Sequence, residues 1–517
     1  MSPRLAAALA LLPDYLAWHV ALSAAALALG VVISLPLAVA ASRNPRLRWP
    51  LLAGSSLVQT IPSLALLALF YPLLLALSAL TEAAFGRGFS ALGFLPALLA
   101  LTLYSMLPIL RNASVGLGGV DPAVLAAADG VGMTRAQRLW RVELPLAAPV
   151  IMAGVRTAAV WTIGAATLST PVGQTSLGNY IFSGLQTENW IDVLVGCAAS
   201  ATLALAADQL LGLAETGLRI RKPMRIAVGL GGLAAGVALA LAPLVGAGAR
   251  PAYALGAKNF SEQYILAELM ADRLQRAGAD AELKQGLGSA VIYRALAAGE
   301  IDAYVDYSGT LWTNVLQRTD NPGRAEVLRQ LAAELKRRDG VTVLGSLGFE
   351  NAYALTMRQD RATALGVTSL ADLAGRAPQL TLGADLEFLT RPEWKGVAAA
   401  YGVKFKSQRS YQPTFMYRAL AGGDVDVISA FSSDGRIAAD RLVVLQDPKG
   451  AIPPYDAVVL ISPRRAGDAR LRAALKPLIG AIPVEAMRAA NLSVDRDQDK
   501  ATPKQASADL ERRLNLR

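Results

Sequence analysis

The sequence predicts an all-α membrane-spanning domain followed by an α/β domain of two similar lobes. Long apolar runs fill only the first half, basic residues alternate between the loops that join those runs, and a ten-residue string occurs twice in the second half. At 517 residues the chain is too long for one ordinary domain. It is 53% hydrophobic and 17% charged, and the two classes are segregated. Residues up to about 250 are dominated by Ala, Leu, Gly and Val, whereas 251–517 carry most of the charge. The net charge of +10 is not arranged as a basic stripe with interleaved aromatics, so nucleic acid is not an expected partner. Cys197 and His19 are single residues of their kind, which argues against an intrachain disulfide, a metal cluster and histidine catalysis. No metal or cofactor is expected.

A spanning helix needs roughly 20 mainly apolar residues, and six runs qualify, at about 18–42, 51–77, 90–110, 146–170, 192–214 and 225–248. Positive charge tests this count. Arg43, Arg46 and Arg48 follow the first run, Arg135, Arg138 and Arg141 separate the third from the fourth, and Arg219, Arg221, Lys222 and Arg225 separate the fifth from the sixth. The alternate loops are poor in it: Arg87 stands alone in one, and 171–191 has no Lys or Arg. This parity predicts an outside N-terminus and puts everything after residue 250 outside. The sixth run, between "RIRKPMR" and the small residues of "VGAGA", is also shaped like a signal peptide, and retention as an anchor is the expectation.

Between the third and fourth runs lies "AAADGVGMTRAQRLWRVELPLAAP", residues 126–149. Read without reference to other proteins it is a basic amphipathic helix ended by Pro145. The string Ala-Ala-x-Gly followed by Leu-Pro also resembles the coupling loop of binding-protein-dependent ABC importer permeases. The resemblance implies that Ala127, Ala128, Gly130, Leu144 and Pro145 belong to a short helical element docking on an ATPase, with Gly130 supplying a turn. The usual glutamate at the start of that loop is Ala126 here. "QTIPSLALLALF" and "STPVGQTSLGNYIFSGLQ" are similar to the betaine and choline branch of the same permeases. No GxxxxGK[ST] loop occurs, so a separate cytoplasmic ATPase is expected. These permeases pair two membrane domains, which implies a homodimer. The expected division is a permease domain over 1–220 with the coupling loop at about 115–145, an anchor over 221–250, and an outer domain over 251–517.

From Pro251 the pattern changes to strands alternating with helices, which argues for parallel α/β sheets. "YRALAAGEID" at Tyr293–Asp302 and "YRALAGGDVD" at Tyr417–Asp426 share seven identities. Each reads as the end of a helix, a glycine turn and the start of a strand, followed by "AYVDYSGT" or "VISAFSSDG". Two such units predict two lobes with Tyr307 and Phe431 at matching strand ends, where open α/β sheets bind ligands. The lobes are expected at about 253–348 plus 456–517, and at about 349–455. For any one such ring, packing is the commoner role; the matched pair is what favours a cleft.

"GAKNFSEQYILAEL", "YVDYSGT", "ENAYAL", "LEFLTRPEW" and "PPYDAVVL" resemble the binding proteins for glycine betaine, choline and carnitine. That resemblance implies a periplasmic-binding-protein (Venus flytrap) domain whose aromatic cage holds a trimethylammonium group. Carried over by position, the cage is Tyr307, Tyr353, Phe431 and Tyr455, two from each lobe, with Arg391, Lys258 and Thr310 facing a ligand carboxylate. Tyrosine is usual where this chain has Phe431. Such a cage is chemically apt, because a quaternary ammonium donates no hydrogen bond and is selected by ring faces. The expected function is a fused permease and binding subunit of an ATP-driven importer of quaternary-ammonium solutes, multi-pass in the bacterial cytoplasmic membrane with an extracytoplasmic C-terminal domain. Ergothioneine uptake by the same architecture is the alternative; a ligand-sensing receptor is a second, disfavoured by the coupling loop.

Overall fold

The computed structural model describes residues 3–86, 88–187, 189–245, 252–318, 320–496 and 498–515. Arg87 and residues 246–249 of "VGAGA" lie outside these. The chain divides into two compact units, one built on residues 1–184 and 190–250 and the other on 251–517 with 185–189.

In the first unit, six helices among the described residues are long and apolar enough to cross a membrane: Ala8–Arg43, Ser63–Phe85, Phe94–Gly118, Arg135–Val172, Trp190–Arg219 and Pro223–Leu244. The run expected at 51–77 is not one helix. Pro45–Thr60 ends at Ile61, which is extended at φ −74° and ψ 126°, and a new helix starts at Ser63. Pro62 causes the break: its ring disfavours helical backbone at the residue before it. Pro145 does the opposite of what is expected of it. It sits in the first turn of the helix Leu144–Ala166, which continues a π-helical turn at Leu139–Glu143, so the segment Arg135–Val172 runs through it. The wider π-helical turn immediately before it is where the regular hydrogen-bond pattern changes.

Several polar side chains in this unit tie one segment to another. His19 donates through Nε2 to the Ile163 carbonyl at 3.0 Å and accepts at Nδ1 from the Leu177 N–H at 3.4 Å. Arg156 makes a two-pronged pair with Asp208, at 2.6 and 2.7 Å, and reaches Glu215 at 3.3 Å. Gln59, another polar residue near a span, donates to the Tyr104 carbonyl at 3.1 Å. A Cβ at Gly154 would fall 2.8 Å from the Pro108 carbonyl oxygen, so the absence of a side chain lets the fourth span lie against the third.

The second unit holds two five-stranded sheets. In chain order the strands are β1 (Tyr253–Lys258), β2 (Ala281–Leu287), β3 (Ala303–Tyr307), β4 (Thr342–Glu350), β5 (Tyr353–Arg358), β6 (Thr381–Ala384), β7 (Ser407–Ser410), β8 (Val427–Phe431), β9 (Leu442–Val444) and β10 (Asp456–Ile461). The orders β2-β1-β3-β10-β4 and β7-β6-β8-β5-β9 are the same plan used twice. The sheets are mixed, not parallel as the alternation suggested: β10 runs antiparallel to β3 and β4, and β5 antiparallel to β8 and β9. The chain crosses from the first sheet to the second between β4 and β5, and returns between β9 and β10. These two crossings reverse the strand direction.

The repeated string has the same structural role in both copies. A helix, Ser289–Ala297 or Pro413–Gly422, is followed by a left-handed glycine, Gly299 at φ 72° or Gly423 at φ 79°. The aspartate that follows then pins the incoming strand to its neighbour. Asp302 accepts from the Ala254 N–H at 2.9 Å, and Asp426 accepts from the Thr381 N–H at 2.9 Å. Their own N–H groups bond back to the carbonyls of the same two residues, at 2.7 and 3.0 Å. A guanidinium backs each carboxylate, Arg465 at 2.9 Å and Arg361 at 3.5 Å.

Replacing either aspartate removes the acceptor of a strand N–H. Asp302→Ala and Asp426→Ala are each expected to destabilise the second unit by about 1–3 kcal/mol, Asp302→Ala the more because its arginine pair is shorter. Denaturant unfolding followed by near-ultraviolet circular dichroism checks this; unchanged midpoints would contradict it.

Candidate functional site

A cavity of about 280 Å³ opens in the second unit at the ends of β3 and β8. All seven residues expected to hold the ligand line it: Tyr307, Tyr353, Phe431, Tyr455, Arg391, Lys258 and Thr310. Their positions follow from the duplicated plan. Tyr307 and Phe431 are the last residues of β3 and β8, Tyr353 is the first of β5 and pairs in register with Phe431, and Tyr455 immediately precedes β10.

The four rings form two groups. Tyr353 is the hub of one, 5.0 Å from Phe431, 5.9 Å from Tyr455 at nearly a right angle, and 4.9 Å from Phe388. Tyr307 instead stacks on Phe260 at 6.2 Å. Phe388 and Phe260 were missed in the sequence because nothing local distinguishes a packing ring from a cleft ring. Tyr455 can lie where it does because residue 309 is glycine: a Cβ there would fall 2.4 Å from the ring.

The expected cations are already paired. Lys258 Nζ bonds Asp306, and both side chains are buried. Arg391 donates from Nε and Nη2 to Glu393, at 3.1 and 2.7 Å, and from Nη1 to Glu387 at 2.7 Å. Arg391 Nη2 also donates to the Tyr455 hydroxyl at 3.0 Å, and that hydroxyl donates to Glu393. Burial drives the Tyr455 and Tyr307 hydroxyls well above the usual phenol range, so both remain protonated donors at neutral pH. Thr310 lines the cavity within the "YSGT" turn.

Glu262 is a further buried carboxylate on the wall. It accepts from Tyr307 at 2.5 Å, Asn351 at 3.1 Å, Ser433 at 2.5 Å and Asn491 at 2.8 Å. Burial raises its pKa, and those four donors oppose the rise. Tyr307 lies on the first sheet, Asn351 in the crossing between sheets and Ser433 just after β8, so one carboxylate ties both lobes to the crossing. Glu262, Glu387 and Glu393 were not expected from the sequence. The signal available for two of them was proximity to Arg391 in "LEFLTRPEW".

In the first unit, the residues expected to couple to an ATPase fall on a short helix, Pro122–Gly130, and the start of the next long one. Ala127, Gly130 and Pro145 are exposed, Leu144 is half-buried and Ala128 is buried. Gly130 ends the helix in ordinary backbone, and the left-handed turn comes two residues later at Gly132, φ 78°. Arg138 braces the loop through Asp129 at 2.6 Å and Glu143 at 2.8 Å. Val131 and Trp140 stand 74% and 71% exposed beside it, large apolar side chains open to solvent in this unit.

Comparison with known proteins agrees with this division. Residues 30–220 match the family described as binding-protein-dependent transport system inner membrane component, and 252–510 match the substrate binding domain of ABC-type glycine betaine transport system. The chain belongs to the ABC importers, as a permease fused to a substrate-binding domain. The importer is 30% identical to the ergothioneine transport permease/ergothioneine binding protein of Helicobacter pylori (strain G27) over 449 residues, 83% of this chain and 77% of that one. Its first half is 40% identical over 197 residues to a choline transport system permease protein of Bacillus subtilis (strain 168), 38% of this chain and 83% of that one. A solved glycine betaine/carnitine/choline ABC transporter structure is 26% identical, with TM-score 0.46, covering 51% of the importer and 98% of that chain.

Gly309→Ala is expected to push the Tyr455 ring aside, lowering stability by about 1–3 kcal/mol. It should also change the near-ultraviolet aromatic signal. Wild-type stability and spectrum in this variant would show that the ring is not held by that contact.

Proposed function

We propose that the importer takes up small compounds carrying a trimethylammonium group, of the glycine betaine, choline or carnitine type. The observation that carries this is the ring cluster centred on Tyr353, which brings Phe431 and Tyr455 to the wall of the cavity. Ring faces attract an alkylated cation by about 0.5–2 kcal/mol each when desolvated, with no hydrogen bond required. The domain over 251–517 closes on the ligand about the two crossings between its sheets and presents it to the membrane unit on the extracytoplasmic side. The lobes are about 253–348 with 456–517, and about 349–455. Two copies of residues 1–220 form the pathway, with 221–250 as a retained anchor, and a separate cytoplasmic ATPase docks on the loop at 115–145. The exposed Val131 and Trp140 beside that loop support an apolar contact there.

Ergothioneine remains a second reading, supported by the Helicobacter pylori relative, whose similarity runs through both halves of the chain. It is itself a trimethylammonium carboxylate, so the ring cluster serves it equally.

Calorimetric titration of the purified full-length chain in lipid nanodiscs with glycine betaine, choline, carnitine and ergothioneine tests the ligand class. At least one is expected to bind at about micromolar Kd, and Phe431→Ala to weaken it by about 3- to 30-fold. Failure of all four to bind would remove the trimethylammonium reading. For the loop, Val131→Asp is expected to leave titration unchanged and to abolish ligand-stimulated ATP hydrolysis by the reconstituted complex. Full stimulation in that variant would remove Val131 from the contact.

A further inference from the structure

Two carboxylates compete for one guanidinium at the cavity wall, and they are not equivalent. Glu393 takes Nε and Nη2 of Arg391, its side chain has 0% exposure, and it does not line the cavity. Glu387 takes Nη1 alone, its side chain is 49% exposed, and it does line the cavity. One buried carboxylate already neutralises the arginine. Glu387 is a second negative charge on the same cation, held by a single hydrogen bond and able to rotate into water at little cost. Removing Glu393 would instead leave a buried charge unpaired.

The other carboxylates of this wall are bound elsewhere. Asp385 caps the helix Leu386–Thr390 through the Phe388 N–H at 2.8 Å, Glu262 accepts from its four donors, Asp434 pairs with Arg436 at 2.7 Å, and Asp495 accepts from the Ser261 hydroxyl. Glu387 is the one that stands where an arriving carboxylate would bond Arg391.

Resting on the trimethylammonium reading, we propose that Glu387 is a specificity-determining residue that sets the preference between ligands with and without a carboxylate. A ligand carboxylate reaches Nη1 of Arg391 by displacing Glu387 into solvent, and so pays for a lost ion pair. A cationic alcohol leaves the pair intact and gains from the extra negative charge beside its ammonium. Glu387 thus acts as an internal competitor against zwitterions.

The test is titration of choline and glycine betaine into the full-length chain in nanodiscs, as wild type, Glu387→Gln and Glu387→Asp. Glu387→Gln keeps the size of the side chain and removes its charge at a half-exposed position. Glycine betaine is expected to bind about fivefold tighter to it, with choline unchanged or weaker, an effect of the size of one exposed ion pair. Glu387→Asp retains the charge and is expected to stay closer to the wild-type preference than Glu387→Gln. A choline-to-betaine affinity ratio that is unchanged in Glu387→Gln, or that moves toward choline, overturns the proposal while leaving the ring cluster standing. If wild type binds neither these two nor carnitine or ergothioneine, the trimethylammonium reading fails and this proposal with it.

Discussion

Glu393 is the residue on which the cleft depends. A carboxylate with no exposed surface is costly unless every lone pair is used. Here it holds Arg391 by two bonds and accepts from the Tyr455 hydroxyl. Arg391 joins the helices Leu386–Thr390 and Pro392–Tyr401, and Glu393 lies in the first turn of the latter, whereas Tyr455 leads into β10 of the first sheet. One ion therefore fixes an arginine of the second lobe and the ring that leads back into the first sheet in the same corner of the cavity, and Tyr455 in turn sets one side of the Tyr353 cluster.

Glu262 applies the same principle at the crossing between the sheets. Its four donors come from the end of β3, the β4–β5 crossing, the segment after β8 and the helix Val484–Asp495. Polar groups buried together in this way specify one arrangement of their elements, since any other leaves donors or a charge unmatched. The cavity consequently sets aromatic rings beside carboxylates that are themselves hydrogen-bonded. That combination suits a ligand with a methylated cation at one end and a small polar group at the other.

The duplicated lobes were legible because their turns demand particular residues. Gly299 and Gly423 need left-handed backbone, and Asp302 and Asp426 need an acceptor at the start of a strand, so the string persists in both copies. Six of the seven expected ligand residues reached the cavity because they lie at or just beyond strand ends, and Arg391 reaches it from the junction of two helices. What the sequence did not carry was pairing at a distance. Antiparallel β10 joins β3 from across the whole second lobe, and no local pattern reports strand direction. Hydropathy ran through Pro62 because its neighbours are apolar, although the ring of that proline ends the helix. Arg391 and Lys258 were visible as cations, but their charge is balanced, for Arg391 by Glu387 and Glu393 close by in the chain and for Lys258 by Asp306, which only folding brings into contact.

Selection of the methylated cation by ring faces is the central claim, and the most direct measurement is the affinity of the full-length chain for choline and its analogues with three, two, one and no N-methyl groups. Each lost methyl adds an N–H that water solvates and the rings do not, so affinity should fall at every step, to no detectable binding for the unmethylated amine. Equal affinity across the series would mean that charge alone is recognised and that the rings of Tyr353, Phe431 and Tyr455 are packing.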